Sequence, residues 1–217
     1  ANPRSFRYIG RMQVATPPAA EGVLIKRVGA GILALTIALY VAAMAYCTLN
    51  GRIWIDEASY VVKSLKYVTG ALHPYTAEDA TWYMPLYFYQ LGWAQKLFGA
   101  GHETGRWMSA VLGLASGGVL YLICRRLNLG AIVSALAVAV YLLTPTTTYY
   151  FSGATPIATV ALLLMLAVYT VVIGQGRPRI WISVLLGVLF WALFFYRQNM
   201  ILAIAVLMPA YIFMIGS

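Results

Sequence analysis

Six apolar runs, each long enough to cross a bilayer as a helix, limit what this 217-residue chain can become. They are Val28 to Leu49, Trp107 to Cys124, Leu127 to Leu143, Ile157 to Ile173, Ile180 to Tyr196 and Met200 to Ile215. A hydrocarbon core about 30 Å thick takes about 20 apolar residues rising about 1.5 Å each. Inside it each backbone N–H and C=O must be satisfied within the segment, so the runs are read as helices. The last two runs taken as one helix would reach about 57 Å, so the chain is expected to turn near Arg197, Gln198 and Asn199. Composition agrees: 62% apolar and 10% charged residues exclude a soluble domain, which is about 25% charged. They also exclude a disordered chain, which needs low hydrophobicity and dense charge. The fold class predicted is all-α: a polytopic membrane protein with about six transmembrane helices. Its long first outer loop is expected to carry interfacial amphipathic helices.

The net charge of +9 reads as a topology signal rather than a nucleic-acid surface, because the basic residues flank apolar runs. With the amino terminus inside, the inner segments hold Arg4, Arg7, Arg11, Lys26, Arg27, Arg125, Arg126, Arg177 and Arg179 against Glu21 alone. The opposite side holds Arg52, Lys63, Lys66, Lys96, Arg106 and Arg197 against Asp56, Glu57, Glu78, Asp79 and Glu103. That bias predicts both termini in the cytoplasm, and the localisation expected is integral to a bacterial inner (cytoplasmic) membrane. The domains expected are a basic cytoplasmic arm over 1–27 that can lie on anionic membrane lipid and a transmembrane domain over 28–217. The outer loop covers 50–106. Ala43-Met44-Ala45 fits a small-x-small cleavage site, but a signal core runs about 7 to 15 residues and this run is longer, so the first span is read as retained. Cys47 and Cys124 offer no disulfide framework or metal-ligand spacing; the topology places them near opposite membrane faces.

Five of the six acids lie between Asp56 and Glu103, in the single long connection, so chemistry is expected there. Within it, Asp56 to Val68 is predicted as a helix with Val61, Leu65 and Val68 on one face, and Pro85 opens a second helix through Leu97. Asp56 and Glu57 come soon after the first span, at the membrane surface, where partial desolvation would make a carboxylate a better general base at neutral pH. The competing role for Asp56 is a helix N-terminal cap.

The matching residues of a known family are Trp54-Ile55-Asp56-Glu57-Ala58-Ser59-Tyr60, Pro85-Leu86-Tyr87-Phe88-Tyr89, Lys96-Leu97-Phe98-Gly99 and Gly105-Arg106-Trp107-Met108-Ser109-Ala110, followed by a span ending in Tyr121-Leu122-Ile123-Cys124-Arg125-Arg126. In order and spacing they resemble the first outer loop of GT-C fold membrane glycosyltransferases, the protein O-mannosyltransferase and aminoarabinose-transferase group. The resemblance implies transfer of a sugar from a polyprenyl-phosphate donor to an acceptor on the outer face. It also implies that Asp56 is the catalytic base or acceptor-orienting acid, with Glu57 beside it, assisting or binding a metal. Tyr60, His73 and Tyr87 are the accompanying substrate-side candidates. Arg197, at the turn between the last two spans, is the cation expected to stabilise the leaving lipid phosphate, with a topology-setting or snorkelling arginine as the alternative. Members of that group usually have more than six spans, so the chain is expected to correspond to the front portion of such an enzyme. In many of them the turn after the third span carries a charge, whereas Ser152-Gly153-Ala154-Thr155 has none.

The remaining features read more plainly. His73-Pro74-Tyr75 and Glu78-Asp79 are candidates for a metal ligand or an acceptor contact, but no clear ligand set for a divalent metal stands out, and the cofactor is left open. Thr144 to Pro156 is a hydroxyl-rich turn suited to sugar contacts, with turn punctuation as its plain meaning. Gly113 and Gly117 form a small-x-x-x-small pattern that signals close helix packing. The reading from a different class is a non-catalytic integral subunit packed against a larger, for example energy-transducing, membrane complex. For it the 16 tyrosines and 6 tryptophans supply interface anchors. A transporter is disfavoured, because the spans hold no buried acids to form an ion path.

Overall fold

A computed structural model describes residues 22–74, 85–174 and 180–216. Its regular structure is helical throughout, with no strand among the described residues. The helices are α1 (Val23–Asn50), α2 (Ile55–Val68), α3 (Pro85–Phe98), α4 (His102–Arg126), α5 (Ala131–Leu143), α6 (Pro145–Phe151), α7 (Ile157–Gly174), α8 (Ile180–Tyr196) and α9 (Ile201–Gly216). The chain is an all-α integral membrane protein. Each of the six apolar runs is a helix: α1, α4, α5, α7, α8 and α9. By length and apolarity α1, α4 and α7 can each cross a membrane, and α5 with α6, bent by 60°, makes a fourth candidate. The shorter apolar helices are α8 and the stretch from Gln198 to Ile212. Residues 1–21 of the basic arm, Tyr75, Glu78, Asp79, Arg177 and Arg179 lie outside the described residues, whereas the end of the arm, with Lys26 and Arg27, is the first turn and a half of α1.

Boundaries differ from the sequence reading where backbone chemistry intervenes. The run from Leu127 to Leu143 starts four residues late as a helix. Asn128 takes a left-handed φ of 59°, a conformation Asn tolerates, and the amides of Asn128 and Leu129 turn back onto Arg125 and Cys124 carbonyls to close α4. Thr144-Pro145 then separates α5 from α6, because the residue before a proline avoids helical ψ; Thr144 has ψ 132°. The turn expected at Arg197 to Asn199 is present. Arg197 is extended at φ −163°, and a single 3-10 turn over Gln198–Met200 leads into α9.

The helices pack in the spatial order α1, α5, α4, α7, α8, with α9 against α7 and α8. Small residues permit the closest approaches. A Cβ on Gly29 of α1 would lie 2.9 Å from Ala131 of α5, and one on Gly113 of α4 would collide with Phe151 and the Tyr40 hydroxyl. Gly113 and Gly117 thus serve the packing their spacing suggests. Tyr40, Met44, Val138, Leu142, Phe151 and Ala158 make the buried core between these helices. Polar pairs stitch it: Tyr40 donates to the Ala110 carbonyl at 3.0 Å and Ser116 meets Tyr141 at 3.0 Å; between α8 and α9, Ser183 meets Tyr211 at 2.9 Å.

Helices α2 and α3 form a second layer at one end of this bundle, α3 resting on α4 and α8. Their contact is close because Gly92 faces the Ser64 backbone, where any side chain would collide. Gln95 donates to Ser64 Oγ at 2.6 Å and to the Val61 carbonyl at 3.0 Å. The buried side of α2 is therefore partly polar, Glu57, Ser64 and Tyr67, with Val61, Leu65 and Val68 half-buried beside it.

Candidate active site at the head of α2

The first turn of α2 presents two carboxylates to opposite environments. Successive helical residues point about 100° apart, so Asp56 and Glu57 leave the helix in different directions. Asp56 is exposed, and its side chain makes no hydrogen bond or ion pair among the described residues. Glu57 is fully buried. The cap role considered for Asp56 falls to Glu57 instead: Trp54 is the N-cap, and its N–H points back at Glu57 Oε2 at 3.5 Å. That is the return half of a capping box; the indole has no acceptor for the other half.

Glu57 is held by a two-pronged ion pair. Arg106 Nε donates to Oε1 at 2.7 Å and Nη2 to Oε2 at 2.8 Å, the parallel geometry at which a guanidinium matches a carboxylate best. The Ala154 N–H adds a third bond to Oε1 at 3.0 Å. Burial opposes ionisation of Glu57, but the Arg106 guanidinium and the Ala154 and Trp54 amides prevail and hold its carboxyl below the ordinary carboxylate range. The rest of the guanidinium closes the end of α1. Nη1 donates to the carbonyls of Cys47, Thr48 and Gly51 at 3.2, 3.3 and 3.0 Å, and Nη2 to Arg52 at 2.9 Å. Thr48 belongs to the last turn of α1, where a helix end leaves carbonyls without intrahelical partners, while Cys47 also accepts from the Gly51 N–H at 2.8 Å, and a cation there also suits the helix dipole.

Two glycines make the clamp sterically feasible. A Cβ on Gly51 would collide with the Cys47 carbonyl and sit 3.1 Å from Arg106 Nη1. One on Gly105 would collide with the Ala154 side chain, pushing away the turn that supplies the third bond. That turn is further tied down by Trp54, whose ring stacks on Tyr149 of α6 at 4.2 Å. So α1, α2, α4 and the turn between α6 and α7 meet at one buried ion pair.

Further along α2, the half-buried Tyr60 sits one turn after Asp56 and packs edge-on against Tyr87 and Phe88 of α3, both at 5.7 Å. Burial raises its hydroxyl above the ordinary phenol range, and the Asp56 charge adds to that while Arg197 opposes it. Asp56, Tyr60 and Arg197 thus share one electrostatic neighbourhood. Arg197 is half-buried and makes no side-chain hydrogen bond or ion pair among the described residues. Tyr87 is fully buried and its hydroxyl has no hydrogen-bond partner among the described residues. Burial pushes that hydroxyl well up, and Tyr60, Glu57 and Tyr196 contribute in the same direction. His73 is placed apart. It is exposed and follows the far end of α2, about 20 Å along the helix from Asp56.

A family model for dolichyl-phosphate-mannose-protein mannosyltransferases matches residues 73–217, about two thirds of the chain. The chain belongs to that family. No curated protein and no solved structure matches it. Membership carries a membrane glycosyltransferase-like role, with membrane lipid and a lipid-linked sugar as the implied partners. In this mannosyltransferase-family chain the match takes in Tyr87, Arg106, Ala154 and Arg197 and begins after α2. Asp56, Glu57 and Tyr60 join the candidate site through geometry.

Three contributors were missed in the sequence: Arg106, counted there as a topology charge, the Ala154 amide, and Tyr196. Arg106 had a legible signal. It precedes Gly113 and Gly117 by seven and eleven residues, so it shares the small-residue packing face of α4, and a charge on a packing face needs a buried partner. Among the described residues no three His, Cys, Asp or Glu side chains gather as a metal-binding group.

Proposed function

We propose that this protein transfers a sugar from a polyprenyl-phosphate donor to an acceptor hydroxyl on the outer face of the membrane, with Asp56 as general base. The observation that carries the reading is the division of labour in one helical turn: Glu57 is consumed by the clamp, while Asp56 stays exposed and unpaired one turn before Tyr60. Asp56 takes the proton of the acceptor hydroxyl as its oxygen attacks the anomeric carbon. The bond from that carbon to the phosphate oxygen breaks, and polyprenyl phosphate leaves with the electron pair, inverting the anomeric centre. Arg197 stabilises the charge growing on the leaving phosphate, and Tyr60 lines the side from which it departs, backed by the buried Tyr87. Arg197, set where an apolar lipid tail can remain in the bilayer, accepts a phosphate at the interface at little cost in burial. Glu57 and Arg106 then act as positioning residues that fix the direction in which Asp56 leaves α2. The transmembrane domain over 28–217 supplies the scaffold.

The test is sugar transfer by the protein in lipid nanodiscs, followed with a radiolabelled polyprenyl-phosphate-linked mannose and a native membrane extract as acceptor. Asp56→Asn, which keeps shape and removes the base, is expected to lower kcat by about 100-fold or more without moving the melting temperature. Undiminished transfer by Asp56→Asn rejects the reading.

A further inference from the structure

The hydroxyl-rich segment after α5 carries an exposed aromatic group that the proposed chemistry leaves unused. Tyr149 is 54% and Tyr150 39% exposed, and their rings meet edge to face at 5.3 Å. One face of Tyr149 is covered by Trp54, stacked at 4.2 Å with 29° between the planes. The group is fixed relative to Asp56 at two points. Trp54 precedes Asp56 by two residues, and the Ala154 N–H binds the neighbouring Glu57 carboxylate at 3.0 Å.

We propose that Trp54, Tyr149 and Tyr150 form a sugar subsite, on which the apolar C–H face of a pyranose ring stacks next to Asp56. An aromatic face presents negative quadrupole charge to the weakly positive C–H groups of one side of a pyranose, while the tyrosine hydroxyls and the exposed Thr146 offer partners to its hydroxyls. Along α2 the platform lies on the Trp54 side of Asp56 and Tyr60 lies on the other. That order separates a ring-binding side from the side assigned to the leaving phosphate. The inference rests on the proposed sugar transfer and deepens it, the ring belonging to the donor or to a sugar on the acceptor.

The experiment titrates the protein in nanodiscs with methyl α-D-mannopyranoside, a ring with neither phosphate nor lipid, and follows tryptophan emission. Wild type is expected to respond saturably, and Trp54→Phe to lose the response. Tyr149→Leu, which keeps apolar bulk over Trp54 without the aromatic face, is expected to weaken binding about 3- to 10-fold, and Tyr149→Phe to restore it. Added polyprenyl-phosphate-linked mannose that displaces the methyl mannoside assigns the platform to the donor's ring; methyl mannoside that stays bound assigns it to the acceptor's. A response that is absent, or equal in wild type, Trp54→Phe and Tyr149→Leu, overturns the proposal and leaves these rings as membrane-interface anchors. Binding does not need Asp56, so Asp56→Asn should bind methyl mannoside as wild type does. Transfer surviving in that variant would then reject the base assignment while the platform stood or fell on its own titration.

Discussion

The head of α2 and the pair α8–α9 are both made of short stretches meeting at a break in the chain, yet they are held by opposite means. At the head of α2 one ion pair gathers six hydrogen bonds besides its own: the Arg106 guanidinium donates to four carbonyls at the end of α1 and just after it, and the Glu57 carboxylate accepts from the Trp54 and Ala154 amides. Along α8 and α9, Trp181, Val188, Leu202 and Val206 stand 77%, 56%, 73% and 70% exposed. Inward contact there rests on a small cluster around Leu186, Leu189 and Tyr211. The first region depends on direction and distance, so nearly any change in it is felt. The second depends mainly on apolar area, with the Ser183–Tyr211 hydrogen bond as a polar contact between its helices, and much of its surface suits lipid, which is as apolar as a neighbouring helix. Precision is concentrated where a carboxylate must be aimed.

The sharpest break of that comparison is Arg106→Met. It strands a buried carboxylate and the carbonyls at the end of α1, and should cost about 3–5 kcal/mol, read as a large fall in melting temperature. Pairing it with Glu57→Gln removes the stranded charge and should recover part of that loss. A double variant no better than Arg106→Met would mean the carbonyl bonds, and not the ion pair, hold the region. A smaller effect is expected from acid. Because the folded pKa of Glu57 lies below its unfolded value of about 4.3, its contribution is present above that pH and fades as pH falls through the folded value. Melting temperature should therefore decline below about pH 4.3 in wild type and decline less in Glu57→Gln. The effect is smaller than that of Arg106→Met because protonated Glu57 leaves the Arg106 bonds to α1 intact. The smallest effect belongs to α9: Leu202→Ala should shift stability by no more than about 0.5 kcal/mol. A loss of several kcal/mol there would show that α9 is packed as tightly as the head of α2.

Much of the fold was legible because its cause is local. A run such as Ile157 to Ile173 has no other low-energy option in a bilayer than a helix, and Pro85 opens α3 because its missing N–H and fixed φ suit a first helical position. The break at Arg197 follows from length. Asp56 and Arg197 stood out as charges beside apolar runs, a signal that is itself local. His73 stood out for its side chain alone, and nothing local could place it at the far end of α2. Arg106 was misjudged for the converse reason: its partner is 49 residues away, and nothing between Glu57 and Arg106 advertises the pairing.

What the sequence determined by itself is the helical membrane class, the positions of the six apolar helices, and an acidic pair opening the first loop. Only the tertiary structure decided which acid of that pair is free. Helix geometry requires Asp56 and Glu57 to point different ways, but which way is inward depends on where α4 brings Arg106 and where the Gly105 gap admits the Ala154 amide, 97 residues from Glu57. A hydrogen bond of 3 Å is blind to separation along the chain, and the pattern of neighbours along it is blind to contacts at that range.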